Sequence, residues 1–317
     1  MTDKTAKQIE NMKKQTIGVE VEMNNITREK AAKIAAEFFG TQNYQNTAAQ
    51  NDYMTWSAWD GQGREWKFSR DASIAGPDAE KCELITPILS YQDIETLQEL
   101  LRLLRKTGAK SSPSRGCGVH ARPARTLKYI GKGEHTPQTI RNLTNIMAAH
   151  EKQIGRAIKI AEHRTETYCK VINKNFLNAI NANAPQTFDA LADIWYTTND
   201  ANYGRDTHYN QSRYHMLNLH ALFTKGTIEF RLFQFDEPHG DKKGGLHAGQ
   251  LKAYIQLCLA MSELAKELKS ASPKPQQTEN ERYDFRCWML RLGFIGEEFK
   301  TAREILLKNM TGNGAYR

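Results

Sequence analysis

Tyr53 to Trp59 and Arg64 to Arg70 are two short runs of strand-forming residues joined by Asp60-Gly61-Gln62-Gly63, a connection that admits only an antiparallel hairpin. A second pair, Tyr214 to Leu222 and Thr227 to Phe235, flanks Lys225-Gly226 in the same way. Further strands are predicted at Thr16 to Met23, at Lys81 to Thr86, where Pro87 ends the run, and at Gly116 to Arg122. Helical spacing fills the intervals. Thr27 is placed to cap a helix through Phe39 that stops at Gly40, and Leu97, Leu100, Leu101 and Leu104 share one helical face up to Gly108. Thr136-Pro137 opens a helix to about Ala161, and His247 to Leu268 reads as a long amphipathic one. Shorter helices are expected near 187–196, 281–292 and 297–309. Hairpins are as frequent as strand–helix alternation, so the predicted class is α+β, a largely antiparallel sheet packed on helices with a helical C-terminal tail.

The chain has 317 residues, enough for one large domain or two. The reading is a main domain over 1–270, with an insertion at 41–66 whose first part, 41–52, is rich in Asn, Gln and Thr and has no period, followed by a linker and helical segment over 271–317. No run approaches the roughly 18 apolar residues of a membrane span, and Met1 to Lys14 is polar and lysine-rich, so a cytoplasmic protein without a membrane partner is expected. Five cysteines, never in a CxxC pair, argue against a disulfide framework and against a zinc–cysteine site. The formal charge of +8 suits an acidic partner, but the basic residues are scattered, which favours a solvated surface over a nucleic-acid footprint.

Gly18-Val19-Glu20-Val21-Glu22 carries the first chemical signal. Strand side chains alternate faces, so Glu20 and Glu22 project together while Val19 and Val21 cover the other side. Two carboxylates on one face repel each other and call for a cation. Other strands add to this face: Glu83 in the 81–86 run, His120 and Arg122 in the 116–122 run, and Glu229 beside Arg231 in the 227–235 run. Taken singly, each has a structural reading, as a surface ion pair or a satisfied histidine. Taken together, carboxylates with one imidazole suit Mg²⁺ or Mn²⁺ better than Zn²⁺, and the arginines suggest a phosphate. Such a set would hold a nucleoside triphosphate through metal bridges. There is no GxxxxGK[ST], so Gly131-Lys132-Gly133 is at most a basic turn; GxGxxG after a strand, GxSxG and HExxH are also missing. Arg70, Asp71 and Ser73 are weaker candidates, since turn formation explains Asp71 and Ser73. His215 and His220, read as strand residues five apart, would face opposite ways.

The ordered set resembles the amidoligase family, a branch of the carboxylate–amine ligases similar to glutamine synthetase and glutamate–cysteine ligase. The matching elements are Gly18 to Glu22, Phe68 to Ser73, Glu83 to Pro87, Gly118-Val119-His120, Arg213-Tyr214 with Asn218, and Thr227 to Arg231. The segment from Phe285 to Arg317 is similar to the tail of mobile-element members. The resemblance implies a sheet of the glutamine synthetase catalytic-core type. It implies that Glu20, Glu22 and Glu83 hold metal, with His120 and Glu229 completing a second position. Arg231 would contact a transferred phosphoryl group, Asp71 and Ser73 would lie at the substrate end, and Tyr214 and Asn218 would line the site. Arg70 and Arg213 fall within the same motifs. Arg122 stands where many relatives carry a second histidine, which suits it to phosphate or a substrate carboxylate.

The implied activity is ATP- and Mg²⁺-dependent (or Mn²⁺-dependent) amide formation through an acyl phosphate, joining a carboxylate to an amino acid or other amine, with a small-molecule, peptide or protein acid as partner. Asp71 could assist deprotonation of the amine. Two alternatives stay open: a phosphotransferase of the guanidino-kinase type using the same residues, and a non-catalytic basic nucleic-acid-binding protein exposing Trp56, Trp59 and Tyr203.

Overall fold

The computed structural model describes residues 3–50, 53–123, 135–239, 244–275 and 279–315, without the side chains of residues 50, 122 and 123. Gly131-Lys132-Gly133 and the side chain of Arg122 therefore lie outside the described residues. In chain order the elements are α1 (Asp3–Lys13), β1 (Ile17–Met23), α2 (Arg28–Phe38), β2 (Tyr44–Asn46), β3 (Trp56–Trp59), β4 (Glu65–Ser69), β5 (Cys82–Ile85), α3 (Asp93–Lys106) and β6 (Val119–Pro123). They continue with α4 (Pro137–Ala157), α5 (Glu162–Thr167), α6 (Lys174–Asn183), α7 (Phe188–Thr198), β7 (Leu217–Asn218), α8 (His220–Lys225), β8 (Glu229–Phe233), α9 (Ala248–Glu267), α10 (Glu281–Arg291) and α11 (Lys300–Leu307). The class is α+β, and the registered pairings β1–β5, β2–β3, β3–β4, β4–β5 and β7–β8 are all antiparallel.

The chain divides into two compact units, one formed by residues 16–121 and 233–252, the other by 1–15, 122–232 and 253–317. In the first, the strands run in the order β2-β3-β4-β5-β1-β6. One face of this sheet is apolar because alternation repeats in register across it. Val21 lies opposite Leu84, Leu84 opposite Phe68 and Phe68 opposite Trp56, with Trp66 opposite Ala58. α2 lays Ala31, Ala32, Ala35 and Ala36, all fully buried, on the β3–β4 part of that face. Small side chains allow the helix to approach closely, and Phe39 closes the edge against Trp66 with ring centroids 5.0 Å apart. The predicted start is realised: Thr27 caps α2 by accepting from the Lys30 N–H. The other face carries the polar alternates, among them Glu20, Glu22, Lys67, Ser69 and Glu83.

Most of α9 belongs to the second unit. It was read as amphipathic, yet residues 253–263 are buried without a break, Gln256, Ser262 and Glu263 included. A helix apolar on nearly all sides belongs inside, and its few polar groups are satisfied there. Ser262 Oγ meets His135 Nε2 at 2.8 Å and donates to Gln15 Oε1 at 2.6 Å. α4 starts at the predicted Thr136-Pro137 signal with a capping box closed by Thr139.

Glu151 on α4 is buried and accepts from the Ile172 N–H at 3.0 Å. Burial pushes its carboxyl up to about 7. The folded state keeps this proton to near neutrality, whereas the unfolded chain loses it near pH 4.3. Stability is therefore expected to be highest below that value and to fall as pH rises through 7, by about 4 kcal/mol in all. Urea midpoints between pH 5 and pH 8 should show this slope in the wild type and a flatter one in Glu151→Gln.

Several expectations are corrected. Tyr214 to Leu222 is not one strand: β7 is two residues long, and His220–Lys225 is helix α8, ended by Gly226 in the left-handed conformation at φ 70°. The C-cap glycine and the helix formers Ala221, Leu222 and Lys225 outweigh the alternation there. β7 and β8 still pair, through a helical connection rather than a hairpin turn. Residues 41–52, read as irregular, contribute β2 at the sheet edge, and α1, α5 and α6 had no prediction. For α6 the signal was present, since Asn173 caps it and Phe176 and Ile180 are its buried face. The five cysteines are free thiols, four of them buried, and no described helix is long and apolar enough to cross a membrane.

Candidate functional site

In the first unit, the register sets Glu22 of β1 directly opposite Glu83 of β5. On the other side of β1, the Glu22 N–H donates to the Gly118 carbonyl at 3.2 Å, which brings the start of β6 alongside. The Gly118 N–H donates in turn to Glu22 Oε2 at 2.5 Å, and His120, two residues on, projects to the same face. His120 Nδ1 lies 3.2 Å from Glu20 Oε2, and its Nε2 lies 3.9 Å from Glu22 Oε1. Glu20, Glu22 and His120 are all buried, at 8%, 5% and 5% exposure.

This geometry separates the two acids of the opening motif. Glu20 engages Nδ1 of His120, which leaves Nε2 on the side of Glu22 and Glu83. Glu22, Glu83 and His120 each offer one ligand atom within 4.8 Å of the others. Two acids opposite each other on neighbouring strands repel, and burial strengthens the repulsion. A divalent cation removes that cost, and a donor set of two carboxylates and one carboxylate-oriented imidazole fits Mg²⁺ or Mn²⁺.

Arg70, Asp71 and Ser73 form the turn after β4. Asp71 Oδ1 accepts from the Ser73 N–H and Oγ, both at 2.7 Å, while Arg70 Nε donates to both oxygens of Asp78 at 2.8 and 2.7 Å. The turn is clamped to the segment before β6. Asn24 Nδ2 donates to the Ala75 carbonyl at 2.8 Å, the Ala75 N–H donates to the Arg115 carbonyl at 2.8 Å, and Arg115 donates back to Asn24 Oδ1 at 3.1 Å. Gly116 closes the clamp at φ 69°, where a Cβ would stand 2.4 Å from the Ser73 carbonyl oxygen. Gly116→Ala is therefore expected to cost at least about 2 kcal/mol from the positive φ and the collision together, read as a lower denaturant midpoint.

In the second unit, β7 and β8 hold Asn218 opposite Glu229. Glu229 is 2% exposed, and both of its oxygens are engaged: Asn218 Nδ2 donates to Oε2 at 2.5 Å and Arg231 donates to Oε1 at 2.8 Å. The Arg231 guanidinium also lies over the Tyr214 ring, 5.7 Å from its centroid. Arg213 lies over Tyr209 and Tyr214 at 5.3 and 5.6 Å and donates to the His208 carbonyl. Asn218 and Glu229 form the buried part of a cavity of about 200 Å³ whose wall includes Asp206, Arg213, Thr224 and Lys225.

His215 and His220 are held structurally rather than as ligands. His215 Nδ1 meets the Ser212 carbonyl at 2.9 Å, and His220 sits between the Tyr196 hydroxyl at 2.7 Å and the Thr207 carbonyl at 2.9 Å. Burial pulls both imidazoles below the usual histidine range. Asp206, Thr224 and Lys225 were missed by sequence reasoning. Lys225 was read as part of a hairpin turn, and Asp206 and Thr224 carry no periodic signal.

The sequence profile of one family, described as putative amidoligase enzyme, matches residues 13–262 of this chain. No curated protein sequence matches it. Among solved structures, the crystal structure of a bifunctional glutathione synthetase from Pasteurella multocida is similar over 98% of this chain and 49% of that one, with 11% sequence identity and a TM-score of 0.46. This chain thus spans about half the length of that structure.

Proposed function

The chain belongs to the amidoligase family, and from that premise we propose that it is an ATP- and Mg²⁺-dependent carboxylate–amine ligase. The observation that supports this reading most is the registered Glu22–Glu83 pair with His120 beside it, an acidic set with Glu22 and His120 buried and Glu83 half-buried, whose repulsion a divalent cation would relieve. Glu22, Glu83 and His120 would hold the ion and Glu20 would orient His120. The ion would supply charge neutralisation at phosphate oxygens. Arg231, fixed by Glu229, would contact the transferred phosphoryl group, and Asp71 and Ser73 would lie at the substrate end.

The reaction proceeds in two displacements. A carboxylate oxygen of the acid attacks the γ-phosphorus of ATP, the bond to the β-bridging oxygen breaks, and ADP leaves with that electron pair. The amine, having lost a proton, then attacks the acyl carbon, and inorganic phosphate leaves as the amide forms. Arg231 stabilises charge on the equatorial phosphoryl oxygens, and no protein nucleophile is required.

The test is ADP release from the full chain with Mg²⁺ or Mn²⁺ over a panel of acids and amines, with products read by mass. ADP and phosphate should appear only when both partners are present, together with a conjugate one water lighter than their sum. A stable phosphorylated product formed without any amine would instead identify a phosphotransferase.

A further inference from the structure

Three short segments of the first unit each lie within a few residues of a candidate site residue: the end of β1, the turn after β4, and the single turn Pro113–Arg115 before β6. Asn24 joins them. Its Nδ2 donates to the Ala75 carbonyl at 2.8 Å and its Oδ1 accepts from Arg115 at 3.1 Å, while the Ala75 N–H donates to the Arg115 carbonyl at 2.8 Å and closes a triangle. The backbone of Asn24 is fixed as well: its N–H donates to the Lys110 carbonyl at 2.8 Å, and its carbonyl accepts from the Lys110 N–H at 3.0 Å. Asn24 is 6% exposed, so its bonds are made largely away from water, where a stranded partner costs most.

The two partners fix which way the amide faces. Rotated by half a turn, it would set its NH₂ against the Arg115 guanidinium and its oxygen against the Ala75 carbonyl, two repulsive contacts in place of two bonds. An aspartate of the same shape could accept from Arg115 but could not donate to Ala75, and an alanine could do neither. Other polar holds on the turn lie in water. The side chains of the Arg70–Asp78 pair are 34% and 49% exposed, and Lys81 Nζ reaches the Ala72 carbonyl at 3.2 Å on the surface, where such contacts contribute little. The bonds from Ser73 to Asp71 run within the turn and attach it to nothing else.

We infer that Asn24 is a positioning residue: it sets the turn that carries Asp71 and Ser73 against the two strands that carry Glu20, Glu22 and His120. Resting on the ligase reading for what that turn serves, this makes Asn24 a determinant of how well a substrate is held, and not of whether the cation binds. The lever arms are short, since Asn24 is two residues from Glu22 and Ala75 two from Ser73. The cation set itself is aligned by strand register and by the Gly118 contacts of Glu22, none of which uses the Asn24 side chain. Loss of the triangle therefore frees the turn and leaves Glu22, Glu83 and His120 in place.

Hydrogen–deuterium exchange of the full chain, without ligand, is the first measurement. In Asn24→Ala, exchange over residues 72–77 should rise at least about ten-fold, the value of a lost buried hydrogen bond, while β1, β5 and β6 keep their protection and Mn²⁺ affinity stays within a few-fold of wild type. Asn24→Asp, which keeps the Arg115 bond, should be intermediate, and adding Arg115→Ala to Asn24→Ala should change little more, because the two side chains act as one unit. If Asn24→Ala does not fold, Asn24→Asp and Arg115→Ala, each removing one edge of the triangle, give the same local readout. With an acid–amine pair found by the ADP screen, Asn24→Ala should raise the KM of one substrate at least about ten-fold and change kcat by less, and Asn24→Asp should recover part of that KM. Unchanged exchange over 72–77, a rise spread evenly over the strands of the unit, or wild-type KM and kcat in a chain whose turn is loosened would overturn the inference. No ADP release by the wild type with any pair would sink the ligase reading and leave the clamp, read by exchange, standing. Turnover in which Asn24→Ala matches the wild type would do the reverse.

Discussion

Glu22→Gln is expected to abolish divalent-ion binding and to lower turnover by at least about 100-fold, more than the 10- to 100-fold typical of losing a residue that merely orients a ligand. Glu22 is 5% exposed, stands opposite Glu83 and accepts from the Gly118 N–H, so its carboxylate cannot swing away from that face. Glu20→Gln should fall within the orienting range, because Glu20 acts on His120 Nδ1. The stability effect runs the other way. Without divalent ion, Glu83→Gln relieves a like-charge cross-strand pair worth up to about 1 kcal/mol and should raise the melting temperature slightly. With Mg²⁺ or Mn²⁺ added, the wild type should gain stability and Glu83→Gln should not. A wild-type melting curve that no divalent ion moves, with full turnover retained by Glu22→Gln, would rule out the assignment.

Arg231→Met is expected to destabilise the fold by about 3–5 kcal/mol, the cost of stranding one partner of a buried ion pair. Glu229 and Arg231 are 2% and 5% exposed, and their 2.8 Å contact lies away from water on adjacent positions of one strand face. The double variant Arg231→Met with Glu229→Gln should be more stable than Arg231→Met alone by at least about 1 kcal/mol, because a neutral amide at 229 still accepts from Asn218. Denaturant unfolding of the wild type, each single variant and the double variant measures this. Additive costs, or a single-variant loss below about 1 kcal/mol, would mean that the pair does not hold this strand face together. Separating stability from activity matters here, since a variant that unfolds would otherwise mimic the loss of a phosphate-binding arginine.

Much of the fold was legible where the chain signals locally. Thr27, Thr136 and Pro137 mark helix starts because a hydroxyl cap or a proline satisfies first-turn geometry within a few residues. The hairpin of β3 and β4 follows from its short Gly-containing turn. Reading failed where local and distant terms compete. Tyr214 to Leu222 reads as one strand in the sequence, but Gly226 offers a helix C-cap, and the Asn218 side chain accepts the His220 N–H where the helix begins. The order of 199–213 has no local sequence signal, because it comes from Asn210, Trp195, Tyr196 and His220, whose partners are set by the tertiary arrangement. Asp206 and Lys225 fall on elements whose convergence has no periodic signature.

By itself, the sequence determined that Glu20 and Glu22 share a face, that Glu229 and Arg231 share another, and that their strands belong to an antiparallel sheet. These are consequences of the two-residue repeat, which is local. Only the tertiary structure decided which residue stands beside which. Strand register joins positions far apart in the chain, bringing Glu22, Glu83 and Gly118 together, and no repeat encodes such a pairing. That pairing made Glu83 the cross-strand neighbour of Glu22 and turned Glu20 toward His120, giving two like residues different partners because the strands on either side of β1 differ.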